Sequence, residues 1–127
     1  LRAKEIDKVM KILRTEMKES DTFLCFNSIP MFYYALNKRF MLSDPWIVQM
    51  GTADVKNQLD TLRARNQSPD YVLFSIYSGR DSDWSKSKVK CSTGEEEKYN
   101  IITNFVTHPE YETIFKDDYF LIYRKKK

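Results

Sequence analysis

The sequence predicts an α/β sandwich, with helices on both faces of a mostly parallel sheet and an antiparallel hairpin closing the chain. Three observations predict it. Two short apolar runs, residues 22–26 and 71–76, have strand length and are separated by segments of helical periodicity. A helix leading directly into a continuously apolar run suits a strand buried on both faces. The 127 residues, 42% hydrophobic and 31% charged with only 3 Gly and 4 Pro, suit one folded domain over 1–127 with a single core.

Each element has a local reason. Over residues 4–19, Ile6, Val9, Met10, Leu13 and Met17 recur at helical spacing, with lysines and glutamates opposite. Ser20 and Asp21 end that helix, and TFLCF follows as a strand. Pro30 fits the first turn of a second helix, which residues 31–38 continue for about two turns. Residues 39–42 read as a short strand, closed by the turn-forming Ser43, Asp44 and Pro45. Thr52 is placed as the N-cap of a third helix, with Asp54 in its first turn and Val55, Leu59 and Leu62 inward.

Residues 71–76, YVLFSI, form the clearest central strand. The polar residues 77–94 leave the sheet as a long excursion. Ser92 and Thr93 stand three residues before Glu95 and Glu96, the capping-box spacing, and open a fourth helix. Tyr99, Ile102, Phe105 and Val106 face inward on it, and it stops before Pro109. Residues 111–115 and 119–123 flank Lys116, Asp117 and Asp118 as a β-hairpin. The order is therefore that of a small Rossmann-like three-layer sandwich, with the hairpin added at an antiparallel edge.

Composition excludes several function classes. A net charge of +3 with mixed signs lacks the concentrated basic face of nucleic-acid binding. The only like-charge run, residues 124–127, reads as a solvated tail. No apolar segment approaches the roughly 20 residues that span a bilayer. The chain starts at Leu1, inside a helix pattern, and is expected to be a piece of a longer protein. Cys25, in a strand, and Cys91, in a polar loop, have no metal-type spacing and read as thiols rather than a bridge.

Catalytic signatures are also missing. Gly51, Gly79 and Gly94 lie in no phosphate-binding loop, so no nucleotide cofactor is expected. His108, in Thr107-His108-Pro109, reads as a residue that completes a helix end. The run from Asp81 to Ser85 resembles the start of a calcium loop, but Lys86 and Ser92 stand where such a loop needs Gly and Glu. No metal site is expected. Asp117 with Asp118, and Glu95 to Glu97, fall in a turn and a helix start and read as structural.

The opening helix ending at Ser20-Asp21, the strand TFLCF, residues 33–39 (YYALNKR), residues 68–73 (SPDYVL) and residues 118–124 (DYFLIYR) together carry a resemblance. The chain resembles the soluble C-terminal domain that follows the last membrane helix in bacterial multi-pass GT-C-type glycosyltransferases. These are the dolichyl-phosphate-mannose–protein mannosyltransferase-like enzymes that use polyprenyl-phosphate sugars. The resemblance spans almost the whole chain outside residues 77–94, through short motifs. It implies a non-catalytic accessory domain, extracytoplasmic and periplasmic, held at the membrane by helices upstream of Leu1. The implied partners are the transmembrane part of the same polypeptide and a glycan or lipid-linked sugar. No catalytic residue carries over, because the family's catalytic acids lie near its first membrane helices.

Two readings of residues 29–46 stay open. Aromatic residues at helical spacing are ordinary core. Alternatively, Tyr33 and Tyr34 beside Asn37 and Arg39, at the C-terminal end of a parallel strand, suit a sugar. Aromatic faces stack on its C–H surface while Asn and Arg bond hydroxyls or phosphate. Trp84, in the polar loop, is the further exposed-aromatic candidate. The alternative to the accessory domain is a free-standing α/β binding or protein-interaction module.

Overall fold

Three helix–strand units, all running in the same sense, build the sheet. The computed structural model describes residues 3–26, 31–43, 50–75, 93–117 and 119–126. The expectations for Pro30, Asp44, Pro45, residues 76–91, Trp84, Cys91, Ser92 and Asp118, and for the side chains of Glu95, Glu96 and Tyr99, fall outside the described residues. Helix α1 (Ala3–Glu16) leads into β1 (Phe23–Phe26), α3 (Thr52–Ala64) into β2 (Tyr71–Ser75), and α4 (Thr93–Val106) into β3 (Tyr111–Lys116). A short α2 (Met31–Ala35) follows β1, and β4 (Phe120–Lys125) returns from β3.

The strand order is β1-β2-β4-β3, with β1 and β2 parallel and both pairings of β4 antiparallel. The expectation of a mostly parallel sheet is therefore corrected. The closing hairpin does add as an antiparallel edge, with its second strand paired to β2 and β3 outermost, so two of the three pairings are antiparallel. The residues of β4 explain this. Phe120 and Ile122 are fully buried on one face, while Leu121 and Tyr123 pack on the other. Such a strand needs cover on both sides. In β3, by contrast, Thr113 and Lys116 are exposed and the register slips between Thr113 and Phe115, as suits an edge.

Alternation along the strands sorts the core into two layers. Val9, Met10 and Leu13 of α1 and Phe32 and Tyr33 of α2 pack on Phe23, Cys25, Tyr71, Leu73, Phe120 and Ile122. On the opposite face, Val55 and Leu59 of α3 and Ile102, Phe105 and Val106 of α4 pack on Leu24, Phe26, Val72 and Phe74. Each fully buried Leu or Phe contributes about 1.5–3 kcal/mol relative to exposure.

Three local predictions are revised. Gly51, extended at φ −66° and ψ 148°, is the N-cap of α3, and Thr52 is its first helical residue. Helix α1 ends at Glu16, and Asp21 turns the chain after it. The Asp21 carboxylate accepts the Lys18 N–H at 2.8 Å, and its own N–H donates to the Lys18 carbonyl at 3.0 Å. Residues 39–42 form no strand. They cross the outer side of β1, carrying the chain from the Tyr33 layer, where Phe40 meets the Tyr33 ring, to Leu42 in the opposite layer.

Thr22 and Asp70 join β1 to β2 at their starts. The Asp70 carboxylate accepts the Thr22 N–H at 2.8 Å and the Thr22 hydroxyl at 3.1 Å, while the Asp70 N–H donates to that hydroxyl at 3.0 Å and to the Thr22 carbonyl at 3.1 Å. Asp70→Ala removes the carboxylate from this set and is expected to lower stability by about 1–3 kcal/mol, read as a lower urea midpoint with an unchanged slope.

Candidate functional site

Residues 31–40 are placed by how α2 stops. The Lys38 N–H donates to the Tyr33 carbonyl at 2.8 Å and the Asn37 N–H to the Tyr34 carbonyl at 3.1 Å, with Asn37 left-handed at φ 55°. This pair of bonds is the Schellman arrangement, which favours Gly or Asn at its left-handed position. The amide at 37 thus has a backbone reason. Asn66, at φ 56°, ends α3 in the same way, with the Gln67 N–H on the Leu62 carbonyl at 2.8 Å.

The four described residues among the five predicted for the site do not share one exposed surface. Tyr33 is 2% exposed. The Cys25 N–H donates to its hydroxyl at 2.8 Å, and the hydroxyl faces the Cys25 carbonyl at 3.4 Å. Phe23 packs edge-on against its ring at 5.5 Å. Tyr34, on the solvent side of α2, is 76% exposed, and Asn37 and Arg39 are exposed as well. Trp84 lies outside the described residues. Nor do Asn37 and its neighbours sit at the C-terminal ends of the parallel strands. The Lys38 ammonium donates to the carbonyls of Lys18, Glu19 and Asp21 at 2.8, 3.0 and 2.7 Å, which places this segment beside the start of β1.

At this edge the structure gathers residues that sequence reading had kept apart. Glu16, Lys18, Asp21, Asp70, Tyr71, Arg124, Lys125 and Lys126 line an open cleft of about 290 Å³. Arg124 donates through Nε to Glu112 at 3.0 Å and through Nη1 to Glu16 at 3.2 Å. Its hydrogen bonds to Glu112 push its pKa further up, so it stays charged. Lys125 Nζ donates to the Ser68 carbonyl at 3.1 Å and lies 3.7 Å from the Asp70 carboxylate. The Tyr71 hydroxyl donates to the Glu16 carbonyl at 3.1 Å. Arg124 and Lys125 belong to β4, which corrects their reading as a solvated tail.

The chemistry of this cleft is that of fixed charges of both signs, with its two innermost cations already bonded to carboxylates and carbonyls. Among the described residues no group of three or more His, Cys, Asp or Glu side chains could hold a metal ion. His108 Nδ1 accepts the Glu110 N–H at 3.2 Å and its carbonyl accepts the Tyr111 N–H at 3.0 Å, a role in the turn into β3. The only available sequence signals for the cleft were the SPDY and YRK segments themselves. Nothing in either one shows that they meet.

No protein-family model, curated protein or solved structure matches the chain.

Two expectations follow. Asn37→Ala should cost about 1 kcal/mol in thermal or urea unfolding through the left-handed backbone alone, whereas Asn37→Gly should be neutral or stabilising. The second concerns alkali. Burial pushes the Tyr33 phenol well above its ordinary range, the nearby Cys25 adds to the shift, and the Cys25 backbone bond opposes it. Burial, then the Glu110 charge, does the same to Tyr111. The unfolded chain releases these protons near pH 10 and the folded chain does not, so above pH 10 the unfolded state binds fewer protons. Stability is therefore full below pH 10 and falls as pH rises, by at most about 1.4 kcal/mol per pH unit for each tyrosine. Tyr33→Phe should make this fall shallower in urea titrations between pH 9 and 12.

Proposed function

We propose that the chain is a non-catalytic accessory domain of a larger membrane glycosyltransferase that uses a polyprenyl-phosphate sugar donor. One observation supports this reading. The end of α1, the SPDYVL segment and the YFLIYR segment, which carry the resemblance and are remote in sequence, share one cleft and bond to one another. Segments that meet in one packed unit behave as the signature of a domain, whereas unrelated short matches would scatter.

In this proposal the domain lies on the periplasmic side, attached through membrane helices that precede residue 1. Among the described residues no helix is long and apolar enough to cross a membrane itself. Its partner within the polypeptide is that membrane region. In this reading the exposed Tyr34, Asn37 and Arg39 are the predicted site residues that would meet a glycan or lipid-linked sugar.

An antibody raised against the domain tests the reading in the source cells. The expected antigen is several times larger than 15.2 kDa and is released from membranes only by detergent. A species near 15 kDa in the soluble fraction would overturn it and leave a free-standing binding module.

A further inference from the structure

The outward side of α1 carries a row of cations that no carboxylate neutralises. Ile6, Val9, Met10 and Leu13 turn towards the sheet, so the opposite side of the helix faces solvent. Lys4, Lys8 and Lys11 stand along that side at helical spacing and Arg14 continues the row, all four exposed. From Lys4 to Arg14 the row is about 15 Å long. Among the described residues none of the four is ion-paired, although Lys8 Nζ lies 5.8 Å from the centre of the Phe115 ring. One acid, Asp7, interrupts the row. Glu5 shares a helical stripe with Glu16 on the flank, where Glu16 bonds to Arg124.

The opposite layer holds its charges differently. On α3, Lys56 is paired with Asp60 and Arg63 with Glu110, and Glu97 is exposed on α4. Exposed apolar groups, by contrast, share the layer of the cationic row. Among the described residues the exposed large hydrophobic ones are Tyr34, at 76%, and Phe40, at 44%. The Arg14 guanidinium approaches the Ala35 carbonyl at 3.4 Å, so Tyr34 adjoins the end of the row. Between α1 and α2, Leu13, Met17 and Leu36 form the apolar part of a groove of about 240 Å³, rimmed by Arg14, Lys18 and Glu19.

Bare cations beside open apolar surface fit a partner that is anionic outside and apolar beneath. We infer that the face formed by α1 and α2 rests on an anionic phospholipid surface, with the lysine row on the headgroup phosphates and Tyr34 at headgroup depth. Basic side chains are drawn to anionic lipid while their stems lie along apolar surface, and aromatic rings with a polar tip settle at the interface. A nucleic acid strand would engage the cations but has no acyl chain for Leu13, Met17 and Leu36. This placement deepens the accessory-domain reading by orienting the domain towards the bilayer.

Co-sedimentation of the chain with phosphatidylcholine vesicles, with and without an equal part of phosphatidylglycerol, tests it. Binding is expected only with phosphatidylglycerol, and is lost at about 1 M salt, where the screening length falls to about 3 Å. Lys4→Gln with Lys11→Gln should weaken it about 25-fold, since each cation near such a surface is worth about fivefold. Lys56→Gln with Arg65→Gln removes the same charge from the other layer and should change binding by less than about twofold. All four positions are exposed, so both double variants keep the fold. Tyr34→Ser should weaken binding several-fold without changing its salt dependence. No binding to the phosphatidylglycerol vesicles would overturn the inference, as would equal losses in the two double variants or tighter binding to oligouridine RNA than to the vesicles. Such a failure beside a large, detergent-extracted antigen would leave the accessory-domain reading standing. A soluble species near 15 kDa that binds the vesicles would sink that reading and support this face.

Discussion

The fold depends on basic side chains bonded to carbonyls at the ends of helices. Because α1, α3 and α4 each run into a strand of the same direction, their carboxyl ends collect at one edge of the sheet. Helix ends present unpaired carbonyls and the negative pole of the helix dipole, so this edge accumulates acceptors. Lys38 bonds three carbonyls following α1, and Arg14 approaches the Ala35 carbonyl at the end of α2 at 3.4 Å. Arg63 donates to the Phe105 carbonyl near the end of α4 at 3.0 Å and stacks over the Phe105 ring. Hydrogen bonds from charged donors are worth about 1.5–3 kcal/mol each. Each of these cations also joins two units, since Arg63 comes from α3 and Lys38 follows α2.

The polar cleft is a product of the same arrangement. Arg124 and Lys125 reach it because β4 runs towards the edge where β1 and β2 begin. Glu16, Asp70 and Glu112 lie within bonding reach of them, so the cleft balances charge as it closes the sheet. This is why residues that look like a tail in the sequence act as part of the framework.

Much of the fold was legible because its signals are local. The apolar stripe of α1, the continuous run of β2 and the turn at Asp117 each report themselves within a few residues. The Asp117 carboxylate accepts the N–H groups of Tyr119 and Phe120 at 2.8 and 2.7 Å, as a turn former should. The position of β4 was less accessible, although YFLIY is as continuously apolar as YVLFS. Adjacency in sequence gave a hairpin laid against an edge, which the sheet has, while burial on both faces decided which of its two strands lies inside. The site was the least legible. Tyr33 and Asn37 have side chains that suit sugar binding, and only the backbone around them reveals an edge contact and a left-handed helix stop.

The interior place of β4 also bears on how the protein is made. Three quarters of the sheet's strands leave the ribosome before it, yet β2 has only β1 to pair with and β3 has none until residues 120–125 appear. The nascent chain therefore carries the unfinished border of β2 from residue 75 until β4 appears, and β3 adds a second one shortly before the end. Closure must await the last strand, and its pairing with β2 spans about fifty residues. Such late, long-range pairing is the slow step expected of a sheet, and it lengthens the interval in which a chaperone would have apolar strand surface to bind.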